Sequence, residues 1–547
     1  MARGRPAALE AIIAGAACLA LGLLRFLADL PDPWAPSMDS LYYALEAQSV
    51  MAFGEGFFAD PSPVAPLAAA LSGVSGLPAL ASLAVLAGIF AAGSAAGLIL
   101  SCVGLSRLLS PDDGGPRGRA ASFALPAALA LLAVAGRAQS YLSREFLKNS
   151  LGQALFLLGL GLLLAAAVRA REGAGIRTAV LPRAAAAIAL ITGAGLVHRL
   201  YAGLAAVCAV GAAAGYALSR LTAGKRGAEP SGRPYAPWLS RAAVPATALA
   251  AIGLIAALLA GSATRELGGD SRGLVRFATV ARAAIPAMEK WEHAIAFLSL
   301  ALWIPVAAAV LRRAHPGGER GVAVAAIAAL AAAHAACALP LTGFGWDLLS
   351  YRLMLAAPPF AALAAAALFA VLPARPRNLA GPLVSVPALA LAAWLAAGSS
   401  AALEPRRPPY GLFAADLAGL RDAVPAGWSV LAARGLAGFI WYELGVPSEN
   451  FEPAADSPRK YARLAWGTGP AMYRDDDGPD GSPPLRFGPW TLVAETAWDR
   501  LRAARPNLLA VRDGRNDLPA RPADSPAPRY GLFDLPLPRK SADANLR

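Results

Sequence analysis

The chain has 547 residues, 57% of them hydrophobic, and a mean hydropathy of +0.49. That excess over the usual composition of soluble domains excludes an ordinary water-soluble enzyme. The net charge of +13 would suggest nucleic acid in a soluble protein, but here the basic residues concentrate between apolar runs, where they set membrane orientation, so no nucleic acid is expected as a partner.

The apolar residues are mainly Ala and Leu, which favour helix, and no alternating barrel pattern occurs. About eleven membrane spans are expected, near 7–28, 78–108, 120–136, 149–169, 181–196, 200–219, 242–261, 292–311, 321–339, 353–372 and 380–398. Arg3 and Arg5 precede the first run as in a signal peptide, but no A-x-A-like cleavage site stands before the next loop, so a retained first helix is expected. Cys18, Cys102, Cys208 and Cys337 each fall within an expected span and offer neither a disulfide framework nor a zinc spacing.

The segment 29–77, after the first span, contains no Lys or Arg, whereas alternate later loops are rich in Arg. By the positive-inside rule the N-terminus is cytoplasmic and 29–77 lies outside. An odd number of spans also places the C-terminal tail outside. Within 29–77, residues 40–53 read as a helix that Ser37 or Asp39 could cap, and Pro63 and Pro66 open a second short helix over 64–74. Both are expected to lie on the membrane surface.

Residues 400–547 hold no span. Residues 413–421 are amphipathic, 429–433, 490–494 and 508–511 suit strands, and Asp475–Pro484 reads as an acidic loop. The expected fold is therefore a polytopic α-helical membrane domain, 1–399, followed by a small extracytoplasmic α/β domain, 400–514. The Pro-rich stretch 515–547 is expected to be extended or disordered.

Asp39 is the leading catalytic candidate. A carboxylate just outside a bilayer can act as general base, taking a proton from an acceptor hydroxyl. Tyr42 and Tyr43, about one turn on, could stack on a sugar; the alternative is that Asp39 only caps the helix and the tyrosines anchor it at the interface. Basic residues on the outside break the charge rule and need a reason. Arg144 and Lys148 lie one turn apart, Arg276 falls in the 262–290 loop, and Arg352 sits where a helix enters the membrane. Fixed at the interface, such groups would bind a lipid phosphate and stabilise its growing charge as a glycosidic bond breaks. Contact with anionic headgroups, or with local acids such as Glu145, is the alternative. His198, at the outer end of a span, could bind a phosphate or a hydroxyl, or simply cap its helix. A divalent cation shared by Asp39 and Asp60 has little support, because the loop lacks an Asp-x-Asp pair, and no other cofactor is implied. No Walker-type glycine-rich loop appears.

The pattern Asp39-x-x-Tyr42-Tyr43, Gly54-x-Gly56, Asp60-Pro61 and Pro63/Pro66 after a first apolar helix resembles the GT-C class of membrane glycosyltransferases. In particular it looks like the bacterial relatives of protein O-mannosyltransferases and aminoarabinose lipid A transferases. Arg144-Glu145-Phe146-Leu147-Lys148-Asn149 before a span, His198, and Tyr351-Arg352-Leu353 extend the resemblance over residues 1–400. It implies a catalytic acid in the first outside loop, here Asp39. It also implies a polyprenyl-phosphate sugar donor, an extracytoplasmic acceptor and a substrate-binding set of Asp60, Tyr42, Tyr43, His198 and Glu145. Many relatives carry Asp-Glu at the catalytic position, whereas Ser40 follows Asp39 here. Two other classes fit a many-span chain: a transporter or lipid flippase, which should show broken helices and mid-membrane polar groups, and a non-enzymatic envelope assembly protein that works through its tail.

Overall fold

In the computed structural model the described residues are 5–30, 38–54, 62–110, 116–224, 290–312, 319–338, 352–403, 429–432, 434–445, 448–450, 486–487, 490–492 and 531–534. They belong to two compact units, Met1–Asp29 with Ala84–Leu403, and Leu30–Leu83 with Glu404–Arg547.

The helices are α1 Arg5–Asp29, α2 Met38–Phe53, α3 Val64–Ser75, α4 Ala79–Leu109, α5 Pro116–Ala135, α6 Arg137–Glu145, α7 Leu147–Arg171, α8 Leu181–Val197 and α9 Arg199–Gly224. They continue with α10 Lys290–Leu298, α11 Trp303–Arg312, α12 Glu319–Ala338, α13 Ala357–Val371, α14 Ala374–Leu403 and α15 Arg434–Leu444. Short strands complete the described structure: β1 Ser429–Ala432, β2 Ser448–Asn450, β3 Arg486–Phe487, β4 Trp490–Leu492 and β5 Gly531–Asp534.

The protein is a polytopic helical membrane protein. Among the described residues, seven helices are long and apolar enough to cross a bilayer, or eight if α5 and α6, bent by 54° at their junction, count as one span. The expectation of about eleven is thus corrected. The span expected at 242–261 lies outside the described residues. The one expected at 353–372 shrinks to the 15 residues of α13, because Pro358 and Pro359 can enter a helix only at its first turn; fifteen residues rise about 22 Å, short of a roughly 30 Å hydrocarbon core. In α14 the apolar part is only Leu383–Gly398.

The expected small α/β domain, made of the C-terminal segment alone, is corrected as well. Its strands are pieces of two to four residues in the order β2-β1-β5-β4-β3. The middle one, β5, comes from a stretch expected to be extended or disordered. The unit that holds the strands also takes in α2 and α3 from residues 30–83. In it, β1 pairs parallel with β2 and antiparallel with β5, and α15, which lies between β1 and β2 in the chain, packs on α2. Gly438 allows the approach: a Cβ there would lie 3.4 Å from the Leu41 Cβ. Leu41, Phe439 and Ile440 are buried at this seam.

In the membrane unit, small residues let helices touch backbone to backbone, as lipid-embedded packing favours. A Cβ on Gly22 of α1 would meet the Gly88 carbonyl of α4 at 2.7 Å, and one on Gly161 of α7 would meet the Leu100 Cβ of α4 at 2.7 Å. Gly211 and Gly215 do the same for α9 against Ala328 of α12, at 2.7 and 2.6 Å. Helix α1 runs antiparallel to α4, whereas α7 runs parallel to it. Arg107 near the end of α4 meets Glu10 near the start of α1 at 3.4 Å. Arg171 at the end of α7 donates to the Leu108 carbonyl at 2.8 Å, and the Ser110 hydroxyl donates to the Ala370 carbonyl at the end of α13. One end of this unit is therefore rich in arginine.

Candidate functional site

The opposite end of the membrane unit gathers buried polar groups around the break between α5 and α6. A helix end leaves backbone groups without intrahelical partners. At this break both sets find partners from distant segments. Arg25 of α1, buried, donates to the carbonyls of Val134, Ala135 and Gly136, each at 3.3 Å, and to the Ser140 hydroxyl. Glu292 of α10, also buried, accepts from the Arg137 amide at 2.7 Å and the Ala138 amide at 3.2 Å. A cation thus faces the C-terminal end of α5 and a carboxylate the N-terminal end of α6, the signs that the helix dipoles favour.

Arg352 and His198 meet beside this break. Arg352 lies in the turn before α13. Its guanidinium stands over the Phe146 ring, 5.1 Å from the centroid, at the junction of α6 and α7. Tyr141 braces that ring edge-on at 5.9 Å. A planar guanidinium on an aromatic face is held by cation–π attraction while its donors stay usable. His198 sits in extended backbone between α8 and α9, with its Nε2 3.3 Å from Arg352 Nη1.

The hydrogen bonding here has a consequence. The Leu200 amide, in the first turn of α9, donates to His198 Nδ1 at 3.2 Å. A neutral imidazole that accepts at Nδ1 carries its proton on Nε2. Nε2 also lies within hydrogen-bond reach of a guanidinium that can only donate, so the structure brings the imidazole and the guanidinium together where both can turn toward a shared anionic oxygen. The Nε of Arg352 is also buried without a hydrogen-bond partner.

A second polar layer adjoins the first. Gln139 of α6 donates from Nε2 to the Leu355 carbonyl at 2.7 Å, and its Oε1 accepts from Gln153 Nε2 of α7. This chain fixes the Gln153 amide so that its Oε1 points away from Gln139. That Oε1, Asn149 Nδ2 and the Tyr201 hydroxyl are all buried without a hydrogen-bond partner. Asn149, Gly152, Gln153 and Phe156 form one stripe of α7, and Tyr201 of α9 lies against it. A Cβ on Gly152 would reach Tyr201 Cδ2 at 2.5 Å, and the Phe156 ring centroid is 5.9 Å from that of Tyr201. An unpaired buried polar atom costs about 1–3 kcal/mol, so several in one place need an explanation.

Of the residues named from sequence, His198 and Arg352 are brought together. Arg144 is buried and donates to the Ala28 carbonyl at 3.3 Å, capping the end of α1. Lys148 and Glu145 are half-buried at the α6–α7 junction beside Phe146. Asp39 lies in the first turn of α2, in the other compact unit, together with Tyr42 and Tyr43, whose rings pack edge-on at 5.2 Å. Asp60 and Arg276 lie outside the described residues. Among the described residues no group of three His, Cys, Asp or Glu side chains could hold a metal ion. No family model, curated protein or solved structure matches this chain.

Sequence reasoning overlooked Arg25, Gln139, Gln153, Tyr201 and Glu292. A signal existed in two places: Arg25 is a lone cation near the end of an apolar span, and Asn149 and Gln153 place two amides four residues apart in another. Either is expensive in hydrocarbon unless used.

Proposed function

We propose that the protein is an integral membrane glycosyltransferase of the GT-C kind. It moves a sugar from a polyprenyl-phosphate donor to an extracytoplasmic acceptor (lipid, glycan or protein), with Asp39 as general base. The observation that carries the reading is the meeting of Arg352 Nη1 and His198 Nε2, 3.3 Å apart, with the guanidinium fixed over Phe146. That arrangement suits a phosphate oxygen and would stabilise the charge gained as the phosphate leaves. Direct displacement by the acceptor hydroxyl would invert the anomeric carbon, the bonding pair leaving on the phosphate and the hydroxyl proton passing to a general base, the role that the resemblance implies for Asp39. Lys148 stands near enough in sequence to add charge.

The same reading places the chain in the cytoplasmic membrane with its N-terminus inside. The packing of α2 on α15 supports a tail on the same side as the first outside loop. Transfer is measured in membranes supplied with a lipid-linked sugar. Asp39→Asn is expected to lower it at least 100-fold, and Arg352→Ala to weaken donor binding with a smaller loss for Arg352→Lys. Full activity of Asp39→Asn would end the mechanistic claim.

A transporter reading draws on one feature, the bent pair α5–α6, since transporters often bind at broken helices. Against it, the buried Arg25, Glu292, Gln139 and Asn149 all lie within two turns of a helix end, as a site at the membrane rim requires. Uptake of substrate by proteoliposomes, with no covalent transfer, would favour the transporter.

A further inference from the structure

We propose that Asn149 Nδ2, Gln153 Oε1 and the Tyr201 hydroxyl form a binding subsite for an uncharged group bearing several hydroxyls, adjoining the anion pair Arg352–His198. The inference deepens the reading above, because it locates the sugar's hydroxyls rather than its phosphate. It rests on that reading only for the identity of the ligand as a carbohydrate.

The three groups are each at least nine-tenths buried, and the named atoms have no hydrogen-bond partner. Their chemistry is complementary to hydroxyls. Asn149 Nδ2 donates, Gln153 Oε1 accepts, and a phenol hydroxyl does either, as a sugar hydroxyl also does. The Gln153 amide cannot serve this role by chance of rotation. Its Nε2 is committed to Gln139, and Gln139 is committed through its own Nε2 to the Leu355 carbonyl, so the acceptor is aimed away from that chain. The site is also wired to the anion pair. Leu355 follows Arg352 by less than one turn, and the Tyr201 amide donates to the His198 carbonyl at 3.0 Å. None of the three groups carries a formal charge, and together they both donate and accept, which matches neutral hydroxyls. Gly152 matters because it brings the Tyr201 ring onto the stripe that carries both amides.

The test uses the full chain in nanodiscs, with saturation-transfer NMR for methyl glycosides of hexoses and pentoses and phosphorus NMR line broadening for inorganic phosphate as a separate probe. At least one glycoside is expected to receive saturation from the wild-type protein. Gln153→Leu and Tyr201→Phe should reduce that signal at least fivefold. Arg352→Ala should abolish the response to phosphate. Tyr201→Phe removes only a hydroxyl, so a folded variant is expected, checked by an unchanged or raised melting temperature. If no glycoside responds with wild type, or if Gln153→Leu and Tyr201→Phe keep the full signal, the groups hold water alone and the proposal falls. Glycoside binding without any transfer activity would overturn the transferase reading and leave this subsite standing.

Discussion

At the residue scale, Arg25 and Glu292 bear most directly on how the broken helix persists. A buried helix break has no water to pair its freed carbonyls and amides, so protein groups must satisfy them. Arg25 supplies donors on one side of the break and Glu292 supplies acceptors on the other. Replacing Glu292 by Leu leaves two amides without that acceptor, each costing about 1–3 kcal/mol. We therefore expect Glu292→Leu to lower the melting temperature of the detergent-solubilised protein clearly, and Glu292→Gln, which keeps one carbonyl oxygen, to lower it less. Gly136→Ala should act like the stronger variant, since a Cβ there would press on the carboxylate. Equal melting temperatures for wild type and Glu292→Leu would show that the clamp carries no weight. Phe146 offers a separate check: Phe146→Leu keeps bulk but removes the aromatic face, and should weaken phosphate binding several-fold without a comparable loss of stability.

At the element scale, the interface of α4 with α7 depends on the absence of side chains. A Cβ on Gly97 would sit 2.6 Å from the Leu157 carbonyl carbon and 2.9 Å from its Cβ. Gly97→Ala forces the helices apart and should cost about 1–3 kcal/mol. Gly15 in α1 has nothing within 4 Å of such a Cβ, so Gly15→Ala should be neutral or slightly stabilising. Thermal unfolding of the pair separates packing from propensity, and equal effects would refute the interface argument.

The same helices show what sequence could reveal. The runs expected at 7–28 and 78–108 appear as Arg5–Asp29 and Ala79–Leu109, because unbroken Ala/Leu periodicity over more than twenty residues admits little else. The bend after Ala135 was not legible, since the apolar pattern continues up to Gly136 and the agents that hold the break arrive from α1 and α10. Hydrogen bonds to backbone atoms leave no mark in the sequence of the segment that receives them. His198 and Arg352 were legible because a polar residue at the end of an apolar run stands out. Gln139 and Tyr201 were not, because a glutamine or a tyrosine near a helix end is unremarkable until its neighbours are known.

At the scale of the whole molecule, the second unit joins residues far apart in the chain. Gln48 on α2 and Glu443 on α15 are both exposed positions of that unit. Single cysteines introduced at each should react with a membrane-impermeant maleimide from one and the same side of sealed vesicles. The native cysteines Cys18, Cys102 and Cys337 are buried in helices of the membrane unit and give little background. Labelling from opposite sides would contradict the packing of α2 against α15.

That discontinuity also sets a timetable for biogenesis. The segment 30–83 leaves the ribosome early, whereas β5, the middle strand of the sheet, is made about 450 residues later. At about 5–20 residues per second, the first part waits roughly 20–90 s for the last. Until residues 434–444 are made, Leu41, buried in the finished protein, lacks the face that α15 later supplies. Nascent chains arrested before residue 531 should therefore carry a second unit that is open to protease, and each newly made molecule must pass through that exposed state once.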